Sequence, residues 1–145
     1  MPGIVCAIRG GPASRPTIEK SIQLAVETHS PLYFLYVVNL DFLSRTTCSR
    51  VHLLSKQMHE MGEFILLVAQ AEAQAQGIKT EGIVRQGNVR DEIVALCQET
   101  NADYVILGRP KTHSEEENVF THERLDKFTQ RIKEESGAKI IMADV

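Results

Sequence analysis

Short apolar runs alternate with longer helical stretches along almost the whole chain. The runs are rich in valine, isoleucine, leucine and tyrosine. Because near-continuous apolarity suits strands buried on both faces, the alternation predicts an α/β fold: a Rossmann-like, open parallel five-stranded sheet with helices on both faces. The predicted strands are Gly3 to Ile8, Leu32 to Val38, Thr80 to Arg85, Tyr104 to Leu107 and Lys139 to Ala143.

Four helices are predicted between or after these strands: Ser14 to Thr28, Arg50 to Gln76, Val89 to Thr100 and Thr121 to Ser136. Gly77 and Gly137 are expected to end the second and fourth, and Asn88 to cap the third. Apolar residues of the second helix recur at spacings of three and four, so we expect them to form the face on the sheet. They are Val51, Leu54, Met58, Met61, Ile65, Val68 and Ala69.

Composition narrows the class of protein. The 145 residues, 43% hydrophobic and 24% charged, predict one globular domain spanning 1–145 and exclude global disorder. A net charge of −3 argues against a nucleic-acid partner. The apolar runs are shorter than a membrane span and no secretion signal is visible, so we expect a cytoplasmic protein.

The pattern of Cys6, Cys48 and Cys97 favours reduced, unpaired thiols over disulfides or zinc.

Glycine-containing loops follow the first and fourth predicted strands. Open parallel sheets bind ligands beyond the carboxyl ends of their strands, where the strand order reverses. If these two strands are neighbours across the reversal, residues 9–14 and 108–111 build the crevice. Its glycines would admit a ligand close to the backbone, although the same glycines could simply turn the chain. We expect a small anionic or nucleotide ligand at Arg9, Gly10, Gly108, Arg109 and Lys111.

Four segments carry a family pattern: residues 4–8 (IVCAI) before a glycine turn, 36–39 (YVVN), 84–88 (VRQGN) before a helix, and 102–108 (ADYVILG). Their order and spacing resemble the universal stress protein family over nearly the whole chain. The resemblance implies strand order 3-2-1-4-5, a homodimer formed through the last strand, Lys139 to Ala143, and a stress-response or regulatory module that often binds ATP.

The chain departs from the ATP-binding pattern of that family. ATP-binding members carry glycine, two residues, glycine, nine residues, glycine, then serine or threonine, and only Gly108 matches. Counting without gaps places Lys111, Thr121 and His122 at the remaining positions. Aligning by the last helix instead places Asp126 and Lys127 at the final two. Neither register restores a phosphate cradle, and Lys111 or Arg109 could attract an anion only as a point charge.

The positions that contact adenosine in the family pattern are also altered. The family resemblance implies an acidic residue after the first strand, where this chain has Arg9, and an apolar adenine contact that Val38 matches. Val38 could equally be ordinary strand core. The resulting expectation is a noncatalytic regulatory module that does not bind ATP in the usual family mode, with ATP or AMP still possible as the ligand.

Two other functions stay open at the level of sequence. The segment 9–14 is similar to the SGGxDS loop of ATP pyrophosphatases, with Arg9 and Ala13 in place of serine and aspartate, which would make the chain a nucleotide-dependent enzyme. It could also be a soluble sensor partner of a membrane transporter. The helical spacing of His52, His59 and Glu63 suits either a metal site or, as we expect, a solvated polar face. The sequence offers no defensible catalytic triad.

Overall fold

The computed structural model describes residues 3–8, 15–38, 49–108, 127 and 129–143, without the side chains of 49–52, 142 and 143. Within these ranges the predicted elements are confirmed to within a residue, except that only the end of the fourth helix is described, over 129–136. The strands are β1 (Ile4–Ile8), β2 (Leu32–Val38), β3 (Thr80–Gln86), β4 (Tyr104–Gly108) and β5 (Lys139–Ala143). The helices are α1 (Arg15–Thr28), α2 (Ser49–Ala75) and α3 (Val89–Thr100).

The five strands form one parallel sheet in the order β3-β2-β1-β4-β5, as predicted. The chain builds outward from β1 to β3 and then crosses to β4 on the other side of β1. The strand order therefore reverses between β1 and β4. Because Val38 pairs with Gln86 and Gly108 with Ala143, the carboxyl ends of the strands lie along one edge of the sheet.

Helices cover both faces of the sheet. Strand side chains alternate between the faces, so Phe34 packs with α1 and α2 while its neighbour Leu35 packs with α3 and Ile132 of the helical segment 129–136. Both strand side chains are fully buried, and each contributes about 1.5–3 kcal/mol of hydrophobic stabilisation. The core therefore has two halves, with the sheet between them.

The predicted glycine ends and asparagine cap of the helices are present in the structure. Gly77 and Gly137 follow their helices with φ of +79° and +74°, the left-handed conformation that glycine adopts most cheaply. At the start of α3, the Oδ1 atom of Asn88 accepts a hydrogen bond from the backbone N–H of Asp91 at 3.2 Å. No helix in the described ranges is long and apolar enough to cross a membrane.

The face that α2 turns to the sheet matches the predicted one in part. Met58, Ile65 and Ala69 of the predicted face pack on the core. The prediction is wrong for Met61 and Val68, because about half of each side chain is exposed to solvent. The residues that are buried on this face are Gly62, Leu66, Ala69 and Ala73, with Met58 and Ile65 partly buried beside them. The helix is apolar on two sides, so the spacing of its apolar residues does not identify the inner side. The small residues identify it, because they let the helix axis approach the strands.

Two glycines set how closely α2 lies on the sheet. A methyl group at Gly62 would be 2.5 Å from Cδ1 of Tyr36, and one at Gly82 of β3 would be 3.2 Å from Cβ of Leu66. Both distances are shorter than ordinary van der Waals contact. The ring of Tyr36 thus occupies space that a side chain at Gly62 would need, and the side chains of Leu66 and Gln70 occupy the space that one at Gly82 would need.

Replacing Gly62 with alanine tests this contact. Alanine favours a helix interior over glycine by about 1 kcal/mol, but overpacking against Tyr36 costs up to about 3 kcal/mol, so we expect Gly62→Ala to lower the free energy of unfolding by about 1–2 kcal/mol. Urea denaturation measures the change. In a Tyr36→Leu background, which removes the ring, the same substitution should be neutral or stabilising. A stabilising Gly62→Ala in the wild-type background would contradict the packing described.

Candidate functional site

The carboxyl ends of the strands and the reversal between β1 and β4 define the candidate site. Of the six residues predicted to contact a ligand, the structure describes Val38 and Gly108, which end β2 and β4. The other four, Arg9, Gly10, Arg109 and Lys111, lie outside the described residues. The two that are described have specific packing roles, and these roles change what each can offer to a ligand.

Gly108 ends β4 directly against α1. A methyl group at this position would lie 2.6 Å from Oγ1 of Thr17, a distance that real side chains do not adopt. Thr17 belongs to the first turn of α1 and is only 2% exposed, so its hydroxyl cannot swing into solvent to make room. Glycine at position 108 is therefore required by the contact between strand and helix, whether or not a ligand binds nearby.

The first turn of α1 lies beside Gly108, and the amino terminus of a helix favours an anion. Pro16 in this turn has no N–H to donate. Arg15 adds a positive side chain there. Its guanidinium contacts Glu19 at 3.2 Å and Glu72 of α2 at 3.5 Å, so two carboxylates more than offset its charge. These side chains therefore give no positive potential at this end of the crevice, and they do not form a phosphate clamp.

Val38 ends β2 with a fully buried side chain that belongs to the core half formed with α1 and α2. Its carbonyl accepts a hydrogen bond from the N–H of Gly87 at 3.0 Å. The side chain has no exposed surface against which an adenine ring could pack. The side chain of Val38 is thus part of the core, and a contact between Val38 and adenine stays a prediction.

A polar cluster at the carboxyl end of β3 was not identified from the sequence. Oε1 of Gln86 accepts a hydrogen bond from the hydroxyl of Ser55 at 3.1 Å and lies 3.1 Å from Nε2 of His59, both on α2. The signal in the sequence was the four-residue spacing of Ser55 and His59, which places them on one side of the helix. Gln86 pairs in register with Val38, so the cluster lies beside the end of β2.

The contact with Gln86 gives His59 a role that the sequence did not indicate. The sequence predicts a solvated polar face for His52, His59 and Glu63, with a metal site as the alternative, whereas the ring of His59 contacts Gln86 at the carboxyl end of β3. Among the described residues, no group of three histidine, cysteine or acidic side chains is close enough to hold a metal ion. The side chain of His52 lies outside the described part.

Cys6 and Cys97 are buried free thiols, as their unpaired spacing predicted; Cys48 lies outside the described residues. Burial raises the pKa of both thiols to about 12, with a hydrogen bond from Ser21 opposing the shift at Cys6. Both are therefore protonated at neutral pH and are poor nucleophiles. Neither can supply thiolate chemistry to the crevice.

A separate groove of about 710 Å³ lies between α1 and α2. Its lining includes three carboxylates and one arginine, with Ile22 and Val26 as apolar members. Glu19, Glu27 and Glu72 outnumber Arg15, so an anion would gain little there. The strand ends remain the better candidate site for an anionic ligand.

Comparisons with known proteins agree with this architecture. The model of the universal stress protein family matches residues 2–121. Among solved structures, the chain is similar to a universal stress family protein from Burkholderia pseudomallei, with 21% identity, a TM-score of 0.67 and coverage of 96% of this chain and 92% of that one. A comparison with curated proteins gives no match.

Two further similar structures are nucleotide complexes. One is a universal stress protein in complex with cAMP, with 17% identity, a TM-score of 0.70 and coverage of 98% of this chain and 96% of that one. The other is the universal stress protein of Archaeoglobus fulgidus in complex with dAMP, with 15% identity, a TM-score of 0.61 and coverage of 99% and 98%. At these identities the likeness establishes a shared fold.

The contact between Gly108 and Thr17 gives a direct test. We expect Gly108→Ala to lower the free energy of unfolding by about 1–3 kcal/mol, because the new methyl group meets a buried hydroxyl. Thermal and urea denaturation measure the loss. In a Thr17→Ala background, which removes Oγ1, the added cost of Gly108→Ala should shrink to less than about half. An unchanged cost in that background would show that another contact requires the glycine.

Proposed function

The chain belongs to the universal stress protein family, and from this premise we propose that it is a single-domain, noncatalytic stress-response module that does not hold ATP in the usual family mode. The cytoplasmic location expected from the sequence is part of the same proposal. Cell fractionation with an antibody against the protein would test the location independently of any ligand.

The close approach of Gly108 to Thr17 carries this proposal. Gly108 is the one glycine of the ATP pattern that the chain keeps, and packing of β4 against α1 is a sufficient reason for keeping it. Its presence therefore gives no independent support to a phosphate cradle. At the other positions the ungapped register has Lys111, Thr121 and His122, whose side chains would obstruct close approach of backbone N–H groups to phosphates.

The adenosine end supports the same conclusion. An acidic acceptor after β1 is replaced by Arg9, and the side chain of Val38 is buried in the core. Burying the ring of an adenine against Val38 would require the core around it to open. Such an opening costs free energy that triphosphate contacts would have to offset, and the glycines that make those contacts in the family pattern are missing.

A smaller adenine nucleotide is the second candidate ligand, because two similar solved structures are complexes with cAMP and dAMP. A monophosphate needs fewer backbone contacts than a triphosphate, and one or two cations can neutralise it. Arg9, Arg109 and Lys111 are the side chains we propose for that role. The amide nitrogen of Gln86, which has no hydrogen-bond partner among the described residues, is a further group for ligand contact.

The enzyme alternative gains no support from the described residues. The two buried thiols are protonated at neutral pH, and the contact that the described residues show for the His59 ring is with the amide of Gln86 rather than with a carboxylate that would orient it as a base. An ATP pyrophosphatase-like activity would also need the serine and aspartate that Arg9 and Ala13 replace. We therefore propose binding without turnover.

We also propose a homodimer formed through the free edge of β5. That strand ends the sheet, and an apolar edge strand presents unpaired backbone groups that another chain can pair with. Pairing β5 with its symmetry mate would extend the sheet across two protomers. Lys139 to Ala143 are the residues that would pair.

Isothermal titration calorimetry tests the nucleotide proposal. We expect no saturable binding of Mg·ATP to the wild-type chain, which means a Kd weaker than about 1 mM. A Lys111→Gly, Thr121→Gly, His122→Ser variant, which restores the glycine pattern in the ungapped register, should bind Mg·ATP at least about tenfold more tightly than the wild type, a gain of about 1.4 kcal/mol.

Parallel titrations with AMP and cAMP separate the two ligand classes, and an assay for ATP hydrolysis or adenylation addresses the enzyme alternative. Tight, magnesium-dependent binding of ATP to the wild-type chain would contradict the proposal, as would turnover of any nucleotide. Circular dichroism of the restored variant controls for loss of fold.

Hydrogen exchange tests the β5 dimer. If β5 pairs with its mate, the amides of residues 139–143 should exchange more slowly as protein concentration rises, because their population in the dimer increases. Amides of β1, which lies inside the sheet of each protomer, serve as the internal control and should not respond. Exchange of the β5 amides that is independent of concentration, together with a monomer mass in sedimentation, would contradict the proposal.

A further inference from the structure

Helix α2 carries a second apolar face that points away from the sheet. Five large apolar side chains on it are exposed by about half or more, which is unusual for a helix whose other face is already buried. We call this set the outer stripe. Its members and their exposed fractions are Leu53 (55%), Met61 (51%), Phe64 (68%), Leu67 (63%) and Val68 (48%).

The outer stripe is continuous around Phe64. At 3.6 residues per turn its members fall within an arc of about 120°, with Phe64 near the middle. The inner face, marked by Gly62, Leu66 and Ala69, lies on the opposite side of the helix. Met61, Phe64, Leu67 and Val68 are adjacent over two turns, and Leu53 lies farther along the same side of the helix.

The stripe is as large as an interaction surface. From the exposed fractions, the five side chains present on the order of 600 Å² of surface, which is at the upper limit of the largest apolar patch on ordinary monomers. Patches of this size mark sites where another surface binds. Burying it would also remove an aggregation hazard.

Charges on the same helix help to identify the occupant. The charged side chains of α2 that the structure describes are Lys56, Glu60, Glu63 and Glu72, an acidic excess. Helices that bind anionic membranes instead carry lysine and arginine beside the apolar face. An acidic border favours a protein partner over a lipid surface.

The stripe complements a copy of itself. Met61 lies three residues before Phe64 and Leu67 three residues after it. In an antiparallel pair of α2 helices, a twofold axis at Phe64 would bring the two rings together and place Met61 beside the partner's Val68. Such an isologous contact buries the outer stripe of both copies at once, so neither copy keeps an exposed stripe.

The area also fits this occupant. Two stripes together would bury on the order of 1,200 Å², the lower bound for stable and specific interfaces. Gln57 and Glu60 lie between Leu53 and Met61 on the same side of the helix, so the contact would include polar groups beside the apolar ones.

We propose that α2 pairs with α2 of a second copy of this chain through the outer stripe, in an antiparallel arrangement centred on Phe64. This contact is separate from the edge of β5, since α2 packs on β2 and β3 at the other side of the sheet. If both contacts form and their twofold axes intersect at right angles, the assembly closes with four chains, and if only the α2 contact forms it holds two.

Sedimentation velocity and light scattering of the full chain at tens of micromolar test the proposal. We expect Phe64→Glu to halve the mass of the wild-type assembly, because it places two carboxylates at the twofold axis. Leu67→Lys should have the same effect. Val26→Glu is the matched control: Val26 is 45% exposed on α1, outside the outer stripe, and its substitution should leave the mass unchanged.

Each outcome decides the proposal. A halved mass for both stripe variants with an unchanged Val26→Glu control supports it, whether the wild type holds two or four chains. A monomeric wild type, an unchanged mass in Phe64→Glu, or an equal loss in Val26→Glu would overturn it. Far-ultraviolet circular dichroism should show the wild-type helix content in all three variants, because each substituted side chain is at least 45% exposed.

Discussion

The contact between Gly108 and Thr17 fixes the geometry on which the candidate site depends. It joins the end of β4 to the first turn of α1 beside the point where the strand order reverses, and a methyl group has no room between them. The distance from strand to helix at the crevice is thus set by packing rather than by a ligand. A glycine in a phosphate-binding pattern can remain for that reason after the phosphate contacts themselves have been lost.

Most of the fold could be predicted from the sequence, because a strand that is buried on both faces must consist almost entirely of apolar residues. Near-continuous apolarity identifies the strands Ile4–Ile8 and Leu32–Val38. Gly77 and Gly137 mark helix ends by their left-handed backbone conformation, and Asn88 marks a helix start by its capping hydrogen bond. The strand order came from the family resemblance, since apolarity alone does not say which strands are neighbours.

The inner face of α2 could be predicted only in part, since Met58, Ile65 and Ala69 lie on it but Met61 and Val68 do not. The role of Val38 could not be predicted in the same way. Apolar spacing identifies a helix face only when the other face is polar, and α2 has apolar residues on both. In the sequence, an apolar residue such as Val38 fits both an adenine contact and a buried strand end. The contact of His59 with Gln86 joins residues 27 positions apart, so it depends on the register of α2 over β3, which neither segment reveals alone.

The central claim is that Gly108 serves packing and not phosphate binding, and its backbone amide reports on this directly. Nuclear magnetic resonance of the ¹⁵N-labelled chain during addition of Mg·ATP would follow that amide together with those of the first turn of α1. The account predicts that these resonances stay in place up to millimolar nucleotide. A saturable shift of Gly108 and the α1 amides at micromolar Mg·ATP would contradict it.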